Sequence, residues 1–324
     1  MDQIMPKTAA PCIALLSTAI SMDYLVKPFQ RVVPDIDLRI GRSLEDLGNL
    51  DQIEAAVCWH PPQGALARLT NLRLMQSLAA GIEHITSDPS LPQAIPLCRI
   101  VDPGMASGMK AYVAWAVSHQ QRFMPAYLKS RSAQQWVEQP IVSPAKHRVG
   151  IAGLGILGLD CAKMLANIGY SVSGWSRSEK HGLPSAIKGF HGAAQLGAFL
   201  ATCDTLICLL PLTNQTKGFL SGKLFQQLPR GAHLINVGRG DHLIEKDLVP
   251  ALDAGWLSVA TLDTFSHEPL PPQHAFWADS RIVITPHIAT RTDPEVIVRQ
   301  TLHNLDLIKK NQVPTNQVDI NLGY

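Results

Sequence analysis

Six consecutive residues, Gly153-Leu154-Gly155-Ile156-Leu157-Gly158, have the types and the spacing to cradle a pyrophosphate. A bare GxGxxG recurs by chance. Here it follows a strand-like run, "VGIA", and opens an amphipathic pattern, "ILGLDCAKML". That is the strand–turn–helix context of a dinucleotide site. Each glycine then has a task. Gly153 permits the tight turn, Gly155 lets the backbone approach the phosphates, and Gly158 lets the helix pack close to the sheet. The phosphates would sit on free N–H groups at the positive end of the helix.

The next strand ends in "SVSGWSRSEK". A site for NAD favours Asp or Glu at this point, accepting from the adenine ribose. This chain has Ser176, Arg177 and Ser178 instead, with Lys180 close behind. A carboxylate repels an extra phosphate, whereas hydroxyls donate to it and a guanidinium grips it with two parallel bonds. NADP(H) is therefore the expected cofactor, with NAD(H) also usable.

Three further segments close predicted strands. "LINVGRGDHL" carries Arg239 between two glycines, "TLDTFSHEPLPP" carries Asp263 and Glu268, and "VITPHIAT" carries His287 after a proline. In an open α/β sheet, ligands bind at the C-terminal strand edge. Taken singly, each has an ordinary explanation: a surface arginine in a turn, a glutamate shaping a turn, a histidine that only packs. Together, beside a hydride-carrying cofactor, they become candidates for chemistry.

The elements that must position these residues alternate in type. Apolar runs at 13–17, 37–40, 55–59, 74–78 and 97–101 read as strands, separated by helical patterns. A long helical pattern covers 105–124, and a second strand set follows at 149–153, 171–175, 205–209, 233–236, 259–263 and 282–284. The last helix starts at Asp293-Pro294, an N-cap followed by Pro at the first helical position, and runs to about Lys310. Such alternation reads as α/β with parallel sheets. Two long helices flanking the central block suggest a discontinuous first domain. Two consecutive domains split near 145, at "VSPAKH", are the alternative, and periodicity alone does not decide.

Composition bounds the function. A chain of 324 residues suggests two domains, and its 46% hydrophobic content supplies two cores. The net charge of +2, with no basic block, argues against nucleic acid and anionic membranes. No apolar stretch reaches the length of a transmembrane helix. "PCIALLSTAI" could pass for a short signal region, but Asp2 precedes it and it reads as a first buried strand. The six cysteines, Cys12, Cys58, Cys98, Cys161, Cys203 and Cys208, are scattered and form no CxxC pair. Buried reduced thiols, no metal site and a cytoplasmic location are expected.

"GLGILG", "LLPLT", "LINVGRG", "LDTFSHEPLP" and "ITPHIAT", in this order and spacing, resemble the D-isomer-specific 2-hydroxyacid dehydrogenase family. "CWHPPQG", "SLAAGIEHI", "DPGM", "WSR" and the C-terminal "QVDINLGY" resemble its glyoxylate/hydroxypyruvate reductase A branch. The resemblance implies two Rossmann-like or flavodoxin-like domains with parallel sheets. The cofactor domain, 103–289, is inserted into a discontinuous substrate domain, 1–102 plus 290–324. It also implies a homodimer acting on small 2-oxo or 2-hydroxy acids.

Site roles follow from the same resemblance. His287 would be the general acid in reduction, giving its proton to the carbonyl oxygen. Glu268 would pair with it, orienting the ring and favouring the imidazolium. Arg239 would bind the substrate carboxylate and polarise the ketone. Backbone N–H groups of Ala80 and Gly81 would also hold the carboxylate, and Trp59, His60 and Met105 would line a short pocket. Asp263 would meet the nicotinamide carboxamide, with Leu210, Pro211, Val237, Gly238 and Ala289 lining the cofactor. Departures are mild: Glu83 stands where many members carry Asp, and Tyr112 where many carry an acid. Pro250 should kink its helix or restrict it to a late start. Competing readings are an NAD-dependent member with other substrates, such as formate, and a non-catalytic dinucleotide sensor on the same fold.

Overall fold

The structure, a computed structural model, describes residues 10–320, so Asp2 and the last four residues of "QVDINLGY" lie outside it. The chain forms two compact units: Met1–Met105 with Arg291–Tyr324, and Ala106–Thr290. The divisions fall at 105/106 and 290/291, against the expected 102/103 and 289/290. Residues around 145 lie inside the second unit, so no division occurs at "VSPAKH".

Unit 1 is built on a parallel sheet in the order β2-β1-β3-β4-β5. Its strands are β1 (Cys12–Ser17), β2 (Asp37–Gly41), β3 (Ala55–Trp59), β4 (Leu74–Ser77) and β5 (Leu97–Cys98). Between them lie α1 (Val26–Val32) and α2 (Glu83–Thr86). All six residues of β1 are buried, which is why it reads as a continuous apolar run rather than an alternation. β5 stops three residues short of expectation: Ile100 N–H bonds to the Ala79 carbonyl, outside the ladder.

The chain enters unit 2 along α3 (Pro103–Gln121), followed by α4 (Met124–Ser132). The helix expected over 105–124 is α3, which ends three residues early; Phe123 takes a left-handed backbone (φ 56°), and α4, which was not expected, starts beyond it. Unit 2 continues with β6 (Arg148–Ala152), α5 (Ile156–Ile168), β7 (Ser171–Ser176), β8 (Ile187–His191) and α6 (Gly192–Leu200). Then come β9 (Thr205–Cys208), α7 (Gly222–Phe225), β10 (Ala232–Asn236), α8 (Glu245–Asp253), β11 (Leu257–Leu262) and β12 (Ile282–Ile284). The chain returns to unit 1 in α9 (Pro294–Lys309), whose N-cap Asp293 accepts from Glu295 N–H. Among the described residues no helix is long and apolar enough to cross a membrane.

The seven strands of unit 2 are parallel, in the order β12-β11-β10-β9-β6-β7-β8. Order reverses beside β6, which pairs with both β7 and β9. On one face, Met109, Val113 and Val117 of α3 and Cys161 and Leu165 of α5 bury Ile151, Ile207 and Ile235. On the other, Phe199, Phe225 and Leu248 cover Leu206, Leu234 and Leu262. Each such fully buried side chain contributes about 1.5–3 kcal/mol. Two elements differ from the sequence reading. β8 is an edge strand with only Ile187 and Phe190 facing the core, too short an alternation to stand out. Pro250 sits in the interior of α8, which begins at Glu245, so the late start expected as one alternative does not occur.

The six cysteines are all buried thiols without disulfides. Burial pushes Cys58, Cys98, Cys161, Cys203 and Cys208 up to about 12, so they stay protonated.

Candidate active site

The glycine loop leaves β6 at the point where strand order reverses, and its three glycines do different work. Gly153 has φ +107°, and a methyl there would fall 2.5 Å from the Leu209 carbonyl oxygen. A methyl on Gly158 would fall 1.8 Å from the Gly153 carbonyl oxygen, so helix and turn meet backbone to backbone. Gly155 is the opposite case: nothing lies within 4 Å of a methyl there. It is the N-cap of α5, no side chain caps the helix, and Ile156 beside it is exposed. Close packing on two sides and open space on the third is what a pyrophosphate at a helix N-terminus requires. Leu154 packs inward, held over Gly174 of β7, where a methyl would come within 2.5 Å of it.

At the end of β7, Arg177, Ser178 and Lys180 are exposed. Ser176 differs from expectation. It is buried, and its hydroxyl donates to the Ser178 carbonyl at 2.9 Å, so its proton shapes the loop. Trp175 donates its indole N–H to the Gly192 carbonyl and stacks on Phe219. The first acid beyond the strand is Glu179, also exposed.

Arg239 follows β10, and two residues the sequence reading passed over frame it. Its N–H donates to His242 Nδ1 at 2.9 Å, and Asn236 Nδ2 donates to its carbonyl at 3.0 Å. With Nδ1 accepting, His242 Nε2 is the donor toward the Pro211 carbonyl at 3.3 Å. Asn236 and His242 are fully buried, so this turn is rigidly built and tied to the Leu210-Pro211 loop. The spacing "GRGDH" is the signal that could have found His242. Gly240 has its own reason: a methyl there would overlap the Phe265 carbonyl carbon at 1.8 Å. The arginine turn thus lies directly against the loop that bears Glu268. Val237 is buried, and Gly238, whose carbonyl accepts from Arg239 Nη1 at 2.9 Å, leaves no room for a side chain beside His242.

Glu268 and His287 meet: Oε2 lies 2.8 Å from Nδ1. The other carboxylate oxygen accepts from Phe265 N–H at 2.9 Å. Burial pushes this carboxyl up. The hydrogen bonds from His287 and Phe265 and the charges of His287 and Arg239 outweigh it, and hold it below the usual carboxylate range. With Nδ1 engaged, Nε2 is the imidazole nitrogen left to face a reactant. A donor imidazole, its carboxylate and a guanidinium on adjoining loops can protonate a carbonyl oxygen and bind an anion.

Asp263 has a task that motif reading missed. It is 1% exposed. Its Oδ1 accepts from Thr285 Oγ1 at 2.6 Å and Ile288 N–H at 2.8 Å, and its Oδ2 from Ala289 N–H at 2.8 Å. Both carboxylate oxygens are therefore engaged in holding the loop that follows His287.

In unit 1, Trp59 closes β3, with its ring 5.0 Å from His60 and 4.4 Å from His84. His60 has a left-handed backbone (φ 48°), and its carbonyl accepts from Thr18 N–H and hydroxyl. His84, not singled out in the sequence, is buried beside the Cys58 carbonyl and Ser77. Ala80 and Gly81 are half-buried in the turn after β4, which Ser77 braces by donating to the Gly81 carbonyl at 2.7 Å. Met105 is buried, with its sulfur 3.1 Å from Thr292 Oγ1.

The family model described as D-isomer specific 2-hydroxyacid dehydrogenase, NAD binding domain, matches residues 114–289. A glyoxylate/hydroxypyruvate reductase A of Yersinia enterocolitica is 39% identical over 285 residues, covering 86% of this chain and 90% of the relative. The protein of that name from Photorhabdus laumondii is 36% identical over 304 residues, covering 92% and 95%. Among solved structures, a D-isomer specific 2-hydroxyacid dehydrogenase of Xanthobacter autotrophicus in complex with NADPH and MES superposes with a TM-score of 0.89. It is 34% identical, and the match covers 98% of this chain and 100% of that one. An NADPH-dependent glyoxylate/hydroxypyruvate reductase of Sinorhizobium meliloti, in complex with NADP and sulfate, gives 0.88 at 30% identity, with the same coverage.

Proposed function

The chain belongs to the D-isomer-specific 2-hydroxyacid dehydrogenase family of NAD(P)-dependent oxidoreductases, and from that premise we propose that it reduces glyoxylate or hydroxypyruvate to the 2-hydroxy acid, with NADPH preferred. The observation that carries this reading is the Glu268–His287 pair at 2.8 Å, on loops adjoining the Arg239 turn. The names of the relatives and the NADP(H) in two similar structures support the substrate class and the cofactor.

A bound nicotinamide dinucleotide supplies the hydride. We assign it to unit 2: Gly153 to Gly158 at the pyrophosphate, Arg177 and Ser178 at the ribose phosphate, and Leu210, Pro211, Val237, Gly238 and Ala289 along the cofactor. His287 gives the Nε2 proton to the carbonyl oxygen as negative charge develops there, and Glu268 stabilises the ring and fixes its orientation. Arg239 holds the substrate carboxylate and draws density from the ketone. From unit 1 we assign the N–H groups of Ala80 and Gly81 to the carboxylate, and Trp59, His60 and Met105 to the pocket wall.

We further propose that the protein is a homodimer. Trp136 is 95% exposed, Ile141 is 87% exposed, and α4 has no buried residue. These exposed apolar side chains on and after α4 support that reading.

The experiment is the loss of reduced-nicotinamide absorbance, with NADPH or NADH against glyoxylate or hydroxypyruvate, for wild type and Arg177→Asp. Preference for NADPH that the variant loses supports the reading. No consumption with either acid, while NADPH still binds, overturns the substrate class.

A further inference from the structure

Tyr112 of α3 touches the strand end that carries the acid, and its hydrogen bond has only one possible direction. Its hydroxyl lies 2.6 Å from Thr285 Oγ1. The single proton of Thr285 is committed to Asp263 Oδ1, also at 2.6 Å. Tyr112 must therefore donate to Thr285, which donates to Asp263. Burial pushes the Tyr112 hydroxyl up to about 12, so it keeps this proton.

Asp263 passes the constraint on. Its carboxylate receives Ile288 and Ala289 N–H, and its carbonyl receives His287 N–H at 2.9 Å. These bonds hold His287 at φ +52°, a left-handed backbone that a residue with a side chain rarely adopts unless its surroundings impose it. A second contact from the same helix face points to the same loop. Four residues before Tyr112, a methyl on Gly108 would fall 2.8 Å from Thr290 Oγ1 and 3.6 Å from the Ala289 carbonyl. The helix is thus seated on both ends of the 285–290 segment.

We propose that Tyr112 is a positioning residue for the reaction, acting through Thr285 and Asp263 to hold the His287 backbone where Nδ1 meets Glu268. This rests on the reading of His287 as proton donor. Tyr112 lies about two helical turns inside unit 2 on the helix by which the chain enters it, so the relay joins that helix to the acid.

The test compares wild type, Tyr112→Phe, Thr285→Val and the double variant in the full-length protein. Tyr112→Phe should lower kcat about two- to tenfold, with KM for NADPH little changed. It should also change the pH–rate profile, because the Glu268–His287 contact loosens. Amide exchange at Ile288 and Ala289 should rise by about the same factor as kcat falls. The double variant should be no worse than Thr285→Val alone, since the phenol then has no acceptor. Unchanged exchange and an unchanged profile in Tyr112→Phe would overturn the relay. Additive losses would reduce Tyr112 to independent packing and overturn it equally. Exchange is read without turnover, so a wild type that consumes no 2-oxo acid would instead sink the functional reading.

Discussion

Asp263 and His287 are joined twice: by the bond from His287 N–H to the Asp263 carbonyl, and through the Ile288 and Ala289 N–H groups on the Asp263 carboxylate. The residue that motif reading gives to the cofactor also anchors the backbone of His287 and the two residues after it.

Asp263→Asn should therefore be costly in two ways. An amide turns a donor toward N–H groups that need an acceptor, and bonds to a buried carboxylate contribute about 1.5–3 kcal/mol each. A loss of about 3 kcal/mol in urea unfolding, with turnover down at least about a hundredfold, is expected. Wild-type stability combined with weakened cofactor binding alone would show that the anchor role is wrong.

The Glu268 carboxyl is held below its ordinary range, so protons reach it only at unusually low pH. The sign follows from linkage: its contribution to folding is full above the unfolded value of about 4.3, and is lost as pH falls through the lower folded value. The pH–rate profile of the wild type should show no carboxylate break at or above about 4.3. Glu268→Gln should lower kcat about a hundredfold by leaving His287 without its anionic partner. A profile that already falls with a carboxylate-like break near that value would contradict the pairing.

His233 predicts an acid weakness remote from the reaction. It is buried in β10, with Nε2 2.9 Å from Thr261 Oγ1 and no hydrogen-bond partner at Nδ1. Burial first, then the nearby His147 and His119, push it down to about 3. The unfolded chain takes up this proton below about 6.5 and the folded chain does not. Stability is therefore unaffected above that pH, and falls by about 1.4 kcal/mol per unit from there down to about 3, where the folded chain takes up the proton too. Urea titrations at several pH values should show His233→Gln with a shallower decline than wild type. Parallel declines would mean that the imidazole is already protonated in the fold.

The three loop glycines should separate by outcome. Gly158→Ala drives a methyl into backbone and should cost about 3 kcal/mol or more. Gly155→Ala meets open space, so the protein should fold within about 0.5 kcal/mol of wild type while NADPH binding weakens. Fluorescence titration and thermal unfolding of the two variants decide this. Equal destabilisation, or undiminished binding by Gly155→Ala, would count against a pyrophosphate at this turn.

Much of this was readable from the residues, and the pattern of what was not has physical causes. Strands β9 and β10 lie in the middle of a parallel sheet, buried on both faces, and so announce themselves as apolar runs. β8, on the edge, does not. The glycine loop, Arg239, Glu268 and His287 stand out because their surroundings demand special residues at fixed offsets. Asn236, His242 and Thr285 support them from ordinary positions, and only the three-dimensional path brings them within reach. The break at Phe123 was hidden because a left-handed backbone there needs no glycine to announce it. Of the two effects expected of Pro250, the late start does not occur: α8 already begins at Glu245, and Leu248, Ala251 and Leu252 bury its apolar face.

Arg239, Glu268 and His287 descend from three neighbouring strands, β10, β11 and β12, and the hydrogen bonds described for them close within residues 106–290. For lineage history this amounts to a division of labour in inheritance. Trp59, His60, Ala80 and Gly81, which the reading proposed here gives to the substrate, belong to the other unit. Mutation can then sample new acids there one loop at a time, while the proton donor is passed on intact. Drift in what is reduced need not put at risk the capacity to reduce.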